Sequence, residues 1–187
     1  MPSSMASPRR IYSIYRALAQ DAATVRDFQQ AQGEKVSGTV HMLCAGDKHK
    51  PLTRWGEEMH ELCGVLAGTH DDSYLMEATQ TFYWASVYAG MTGTTWDALR
   101  FVEGSRAAAT CGITSPGELQ TAVDRLVSQG EQARPDKLFL LWNVADHLYR
   151  AHTPSEDQWS LEQLMEADLQ DMKKRTYLAP ILARILD

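Results

Sequence analysis

Trp55-Gly56-Glu57-Glu58-Met59-His60-Glu61-Leu62, followed fifteen residues on by Glu77-Ala78-Thr79-Gln80, is the stretch on which the reading of this chain turns. Both segments carry helical spacing. Trp55, Met59, Leu62 and Leu66 form an apolar stripe on a helix running from Pro51 to about Ala67. Leu75, Met76, Phe82, Tyr83 and Val87 mark a second helix, from Ser73 to about Ala89, across a turn at Gly68–Asp72. Glu58 and Glu61 stand three residues apart, as do Glu77 and Gln80, so each pair projects from one helix face. Packing two such helices together crowds their carboxylates. Close like charges are costly unless something positive sits between them, and a hard divalent cation with oxygen ligands is the usual answer.

Helical periodicity continues in both directions. A first helix is predicted from Arg9 to about Gln32, with Ile11, Ile14, Tyr15, Leu18, Val25 and Phe28 in register and Gly33 as its stop. A short helix covers Val36–Cys44, and a polar loop runs from Ala45 to Pro51. After a loop at Gly90–Thr95, Thr95 caps a helix expected from Trp96 to near Gly112. Ser115-Pro-Gly-Glu118 reads as a capping box with proline at the first helical position, starting a helix to Gly130. Asp136–His152 follows, very apolar at Leu138–Trp142. Ser160 caps a helix to Lys174, with Gln163 at its third position, and a tail helix covers Pro180–Leu186. No segment reads as a strand. The expectation is an all-α helical bundle: a short disordered lead at 1–8, then a single domain over 9–187.

A shift of 61 residues lays Gly56-Glu57 on Gly117-Glu118, Leu62 on Val123, Val65 on Leu126 and Tyr88 on Tyr149. Two further residues bring Trp96 onto Trp159. Residues 52–99 and 113–162 are therefore candidates for an internally duplicated helix–turn–helix unit. The alternative is that any two amphipathic helix pairs align in this way. Under the shift Glu61 falls on Ala122 and Glu77 on Leu138, so only the first unit keeps its carboxylates.

The bulk composition narrows the function classes. A length of 187 residues with 44% hydrophobic content suits one domain. A net charge of −6 argues against a general basic surface for nucleic acid. Cys44, Cys63 and Cys111 are odd in number and lack C-x-x-C spacing, so neither a disulfide framework nor a zinc site is expected, and a reducing cytoplasm is. No apolar run approaches the roughly 20 residues that cross a bilayer, and the first residues lack a signal peptide's apolar core. No membrane partner is expected.

The string Glu57-Glu58-Met59-His60-Glu61 with Glu77-x-x-Gln80 resembles the signature of the all-α nucleoside-triphosphate pyrophosphatases: the MazG-like proteins, the all-α dUTPases and phosphoribosyl-ATP pyrophosphatase. Their pattern is Glu-Glu-x-x-Glu on one helix and Glu-x-x-Asp on the next. The resemblance covers mainly residues 50–111. A weaker echo lies in Leu164–Leu178, which looks like the last helix of such proteins, ending in a basic run that meets phosphates. One departure is plain. Gln80 stands where the family has Asp, and an amide oxygen ligates a cation without contributing charge. Asp71 or Asp72 in the intervening loop are candidates to compensate.

The resemblance implies an all-α helical bundle of the MazG-like type and a set of residue roles. Glu58, Glu61, Glu77 and Gln80 would hold Mg²⁺, or Mn²⁺ in its place. Glu57, Glu58 and Glu61 would be the catalytic carboxylates, with Glu57 as the base behind the metal ligands. Water would attack the α-phosphorus of a nucleoside triphosphate in line, giving the monophosphate and pyrophosphate. The substrate would be an NTP or dNTP such as dUTP, dCTP or a non-standard nucleotide, and the protein a homodimer. Lys48, Lys50 and Arg54, with Lys173, Lys174 and Arg175, are candidates to meet phosphate oxygens. Tyr83 and Trp84 are candidates to stack on a base. The plainer alternatives are a solvated carboxylate face, ordinary loop cations and core aromatics. His60 does not complete a His-Glu-x-x-His site. No glycine-rich phosphate loop or nucleophile arrangement is present. The rival function is a catalytically degenerate nucleotide-sensing or protein-interaction module of the same fold, which Gln80 and the carboxylate-free second unit favour.

Overall fold

Short polar caps start most helices in this chain, and a computed structural model covering residues 6–185 shows how they act. Ser7 accepts from the Arg10 N–H and Pro8 takes the first position of α1 (Pro8–Gln20), where its missing N–H costs nothing. Of the lead expected at 1–8, residues 1–5 lie outside the described residues. Residues 6–8 belong to the fold, with Ala6 buried and Ser7 as the cap. The single helix expected over Arg9–Gln32 is divided at Asp21, whose backbone (φ −101°, ψ 17°) leaves the helical region before α2 (Ala22–Ala31). Aspartate competes with the backbone for hydrogen bonds and is a poor interior helix former. Here its carboxylate is held by Arg184 from the far end of the chain.

Ser37 caps α3 (Gly38–Ala45). α4 (His49–Ala67) stops at Gly68, where φ is 71°, and Ser73 caps α5 (Tyr74–Met91). Thr95 caps α6 (Trp96–Leu99) as expected, but the helix does not run on to Gly112. Arg100 adopts a left-handed φ of 51°, and α7 (Phe101–Ala108) starts afresh on its far side. α8 (Pro116–Val127) begins at Ser115, which accepts from Glu118 N–H. The reciprocal half of the box is redirected: the Glu118 carboxylate takes the Thr114 N–H at 2.8 Å. α8 stops at Val127, and a 3₁₀ turn at Gly130–Gln132 leads to α9 (Pro135–His152). The box at Ser160 and Gln163 closes in both directions and opens α10 (Leu161–Lys173). α11 (Ala179–Arg184) completes the helices, and Leu186 of the expected tail lies outside the described residues. Among the described residues there is no strand.

The α4–α5 hairpin makes the most extensive contact in the molecule. A second hairpin, α8–α9, lies against it, with α8 on α4 and α9 on α5. α1 covers another side of α5, and α10 lies across α1 and α5. The core is aromatic. Trp142 donates its indole N–H to the Ala78 carbonyl at 2.9 Å, joining α9 to α5. The Phe82 ring is edge-on to Phe101, Phe139 and Trp142. Burying a side chain of this size stabilises by roughly 1.5–3 kcal/mol. α1 approaches α5 closely because Gly90 has no side chain: a Cβ there would lie 2.9 Å from Ala19 Cβ and 3.1 Å from Arg16 Cα. The two segments aligned by the 61-residue shift thus both contain helical hairpins. Trp96 leads α6, whereas Trp159 sits in an irregular segment just before α10. No helix among the described residues is long and apolar enough to cross a membrane.

Candidate functional site

The α4–α5 turn places an imidazole where helix spacing alone foresees only carboxylates. Gly68 reverses the chain, and His70 folds back over α4 at Gly64, where a Cβ would sit 2.8 Å from the His70 Cβ. Glu61 from α4, His70 from the turn and Glu77 from the first turn of α5 each bring one ligand atom to within 4.8 Å of the others. Glu61 is exposed, His70 half-buried and Glu77 only 2% exposed. The Glu77 Oε2 atom is buried without a hydrogen-bond partner, and its Oε1 lies 3.9 Å from His70 Nε2. Burial, with Glu61, Glu58 and Asp72 adding to it and His70 opposing, pushes the Glu77 carboxyl up to about 7. A buried, unpartnered carboxyl beside further carboxylates is the environment a divalent cation relieves. Two carboxylates and one imidazole fit such an ion, with the nitrogen extending the donor set beyond oxygen alone.

Glu58 is buried on the same helix but is engaged elsewhere. Arg54 Nη2 bonds its Oε1 at 2.7 Å, while Arg54 Nη1 bonds Glu57 Oε2 at 2.5 Å. Burial raises the Glu58 carboxyl, against Arg54, with Glu61 and Glu57 adding to the rise. The Arg54 guanidinium also lies 5.7 Å from the Trp84 ring centre. Arg54 therefore neutralises Glu57 and Glu58 and shelves against a half-buried tryptophan. Asp72 bonds His70 at 2.9 Å, and Asp71 is exposed. His60 points the other way, to Asp124 of α8 at 2.6 Å.

The remaining expected residues are spread over two regions. Lys48 and Lys50 sit at the start of α4, with Lys50 eleven residues from Glu61, roughly 16 Å along the helix axis. Gln80 is exposed and lines a cleft between α1, α5 and α10. Tyr83 lines that cleft too, its hydroxyl 2.6 Å from Thr39 Oγ1, as does Arg175, which bonds Asp171 at 2.7 Å and lies 5.8 Å from the Tyr83 ring centre. Lys173 and Lys174 are exposed at the end of α10. The cleft also holds Asp168, buried, with Oδ1 accepting from the Tyr15 hydroxyl at 2.6 Å and Oδ2 without a partner. Burial pushes the Asp168 carboxyl up to about 7, against the Tyr15 bond and Arg175.

His70 and Asp168 escaped the reading from sequence. His70 is a loop residue with no periodic neighbour to mark it. Asp168 did leave a signal: Leu164, Met165, Leu169 and Met172 define the buried face of α10, and position 168 falls within it. Compared with known proteins, the chain matches no family model, no curated protein and no solved structure.

Proposed function

We propose that this chain is a divalent-cation-dependent nucleoside-triphosphate pyrophosphohydrolase of the MazG-like, all-α kind, acting on an NTP or dNTP to give the monophosphate and pyrophosphate. The observation that carries the reading is Glu77. Its buried carboxyl has an unpartnered oxygen and shares with Glu61 and His70 a space that one cation would span. A bound Mg²⁺ or Mn²⁺ would polarise phosphate oxygens and acidify a coordinated water. Glu61, His70 and Glu77 would hold it. Arg54 pairs with both Glu57 and Glu58, and Glu57, half exposed, would be the carboxylate that takes a proton from water. The resemblance in sequence supplies the choice of the α-phosphorus, and extends the proposal to a cytoplasmic homodimer. It also leaves room for an ancestral doubling in which the α8–α9 hairpin gave up its carboxylates.

A second reading, a nucleotide-sensing module without catalysis, is favoured by the uncharged Gln80 at the position where the resemblance expects Asp and by the Arg54–Glu58 ion pair. One experiment separates them. Pyrophosphate release is measured over the common NTPs and dNTPs with Mg²⁺ and with Mn²⁺, alongside melting temperature. Turnover of at least one nucleotide, lost in Glu61→Ala and Glu77→Ala, is the expected result. A nucleotide-dependent rise in melting temperature without turnover supports the sensing module by mass action. No response to cation or nucleotide overturns both.

A further inference from the structure

The cleft between α1, α5 and α10 has a volume of ≈ 310 Å³, at the lower end of the range for small-molecule pockets and ample for a flat heterocycle. Tyr15 and Tyr83, edge-on with ring centres 4.8 Å apart, supply aromatic surface, and Met76 adds an apolar edge. Asp168 is the unusual member. α10 turns it inward on an otherwise apolar face, Tyr15 occupies one of its oxygens, and the other is buried without a partner. Leaving a buried acceptor unsatisfied is costly, and native structures rarely do so without a reason. Arg175 makes no hydrogen bond to that oxygen and directs its Nη2 to Asp171. With two carboxylates against one guanidinium, the cleft does not favour a phosphate. It favours a neutral ligand that donates a hydrogen bond.

We infer that this cleft receives a nucleobase and that Asp168 Oδ2, once ionised and once the side chains that cover it give way to the ligand, accepts from its exocyclic amine, so that amino bases such as cytosine and adenine are bound in preference to their keto counterparts, uracil and hypoxanthine. The assignment of the cleft as the base end of a triphosphate rests on the pyrophosphohydrolase reading. Gln80, at the cleft, lies three residues from Glu77 on α5, about 4.5 Å along the axis. A keto oxygen facing Asp168 would set acceptor against acceptor. A site built to bond one polar group rejects the analogue that lacks it, because its own buried group is then left unpaired.

The test uses the full chain without metal, at about pH 8.5, above the value of about 7 at which Asp168 ionises. Cytidine and uridine, which differ at one exocyclic group and its ring nitrogen, are titrated and followed by NMR, with adenosine and inosine as a second pair. Cytidine should bind at least about tenfold more tightly than uridine, the scale of one hydrogen bond to a charged group. In Asp168→Asn the Tyr15 hydroxyl holds the amide oxygen, an N–H replaces Oδ2, and the preference should invert. Met76→Trp, which fills the cleft and leaves Asp168 intact, should lose both nucleosides; it decides alone should Asp168→Asn fail to fold. Equal affinities, no saturable binding at concentrations on the order of 10 mM, an unchanged preference in Asp168→Asn, or cytidine binding retained in Met76→Trp would each overturn the inference. The titrations need neither cation nor triphosphate. A chain with the base preference and no pyrophosphate release refutes the hydrolase and keeps the pocket, and the converse refutes the pocket alone.

Discussion

Asp168 makes a quantitative claim about stability against pH. Burial raises its carboxyl from 3.8 to about 7 in the folded chain. The folded state therefore holds that proton more tightly than the unfolded one. Its contribution is most favourable below about pH 4, declines as pH rises, and has fully declined once pH passes about 7. Each unit of separation is worth 1.36 kcal/mol, so this one group should remove roughly 2.5 kcal/mol between pH 5 and pH 8. Asp168→Asn stays neutral throughout and keeps an oxygen for Tyr15. Urea unfolding of both proteins at the two pH values isolates the difference, because every other titrating group is common to both. The stability of the variant relative to the wild type should rise by roughly 2.5 kcal/mol from pH 5 to pH 8. A relative stability that does not change with pH would show that the carboxyl is ionised at ordinary values, and hence that water or a cation reaches Oδ2.

Three further outcomes are expected. Glu77→Gln removes a buried carboxyl, so the metal-free chain should gain stability at pH 8 while its melting temperature stops responding to Mn²⁺; a retained response would move the cation site elsewhere. Gly90→Ala should destabilise by roughly 1–3 kcal/mol in chemical unfolding, because the new methyl meets the Ala19 Cβ and the Arg16 backbone of α1, neither of which can rotate aside; a gain in stability would mean that α1 lifts away freely. Ser160→Ala should cost about 1 kcal/mol and speed amide exchange in the first turn of α10, and unchanged exchange there would show the box to be dispensable.

Much of the fold was legible because periodicity and caps are local. Ser73, Thr95, Ser115 and Ser160 act at the helix starts where the sequence places them. What local reading misses are breaks that tertiary contacts enforce. Nothing near Arg100 announces a left-handed residue, yet the chain turns there so that both Leu99 and Phe101 are buried. At the site, spacing correctly put Glu61 and Glu77 on neighbouring helices, but it could not show that Arg54 would occupy Glu58 or that Gln80 would face the cleft. Those outcomes depend on rotation of each helix about its axis and on what a third helix brings, neither of which is written within a single helix.

The Tyr15–Asp168 bond joins positions 153 residues apart. Hairpins such as α4–α5 can form from neighbouring sequence as soon as it is available, but this contact must wait for distant segments to meet, and closing long loops is slow relative to local helix pairing. A chain emerging from the ribosome would hold its acidic hairpin before it had the helix that carries Asp168. Assembly would then end with α10 and α11 closing on α1, making the cleft among the first places where incomplete folding would be felt.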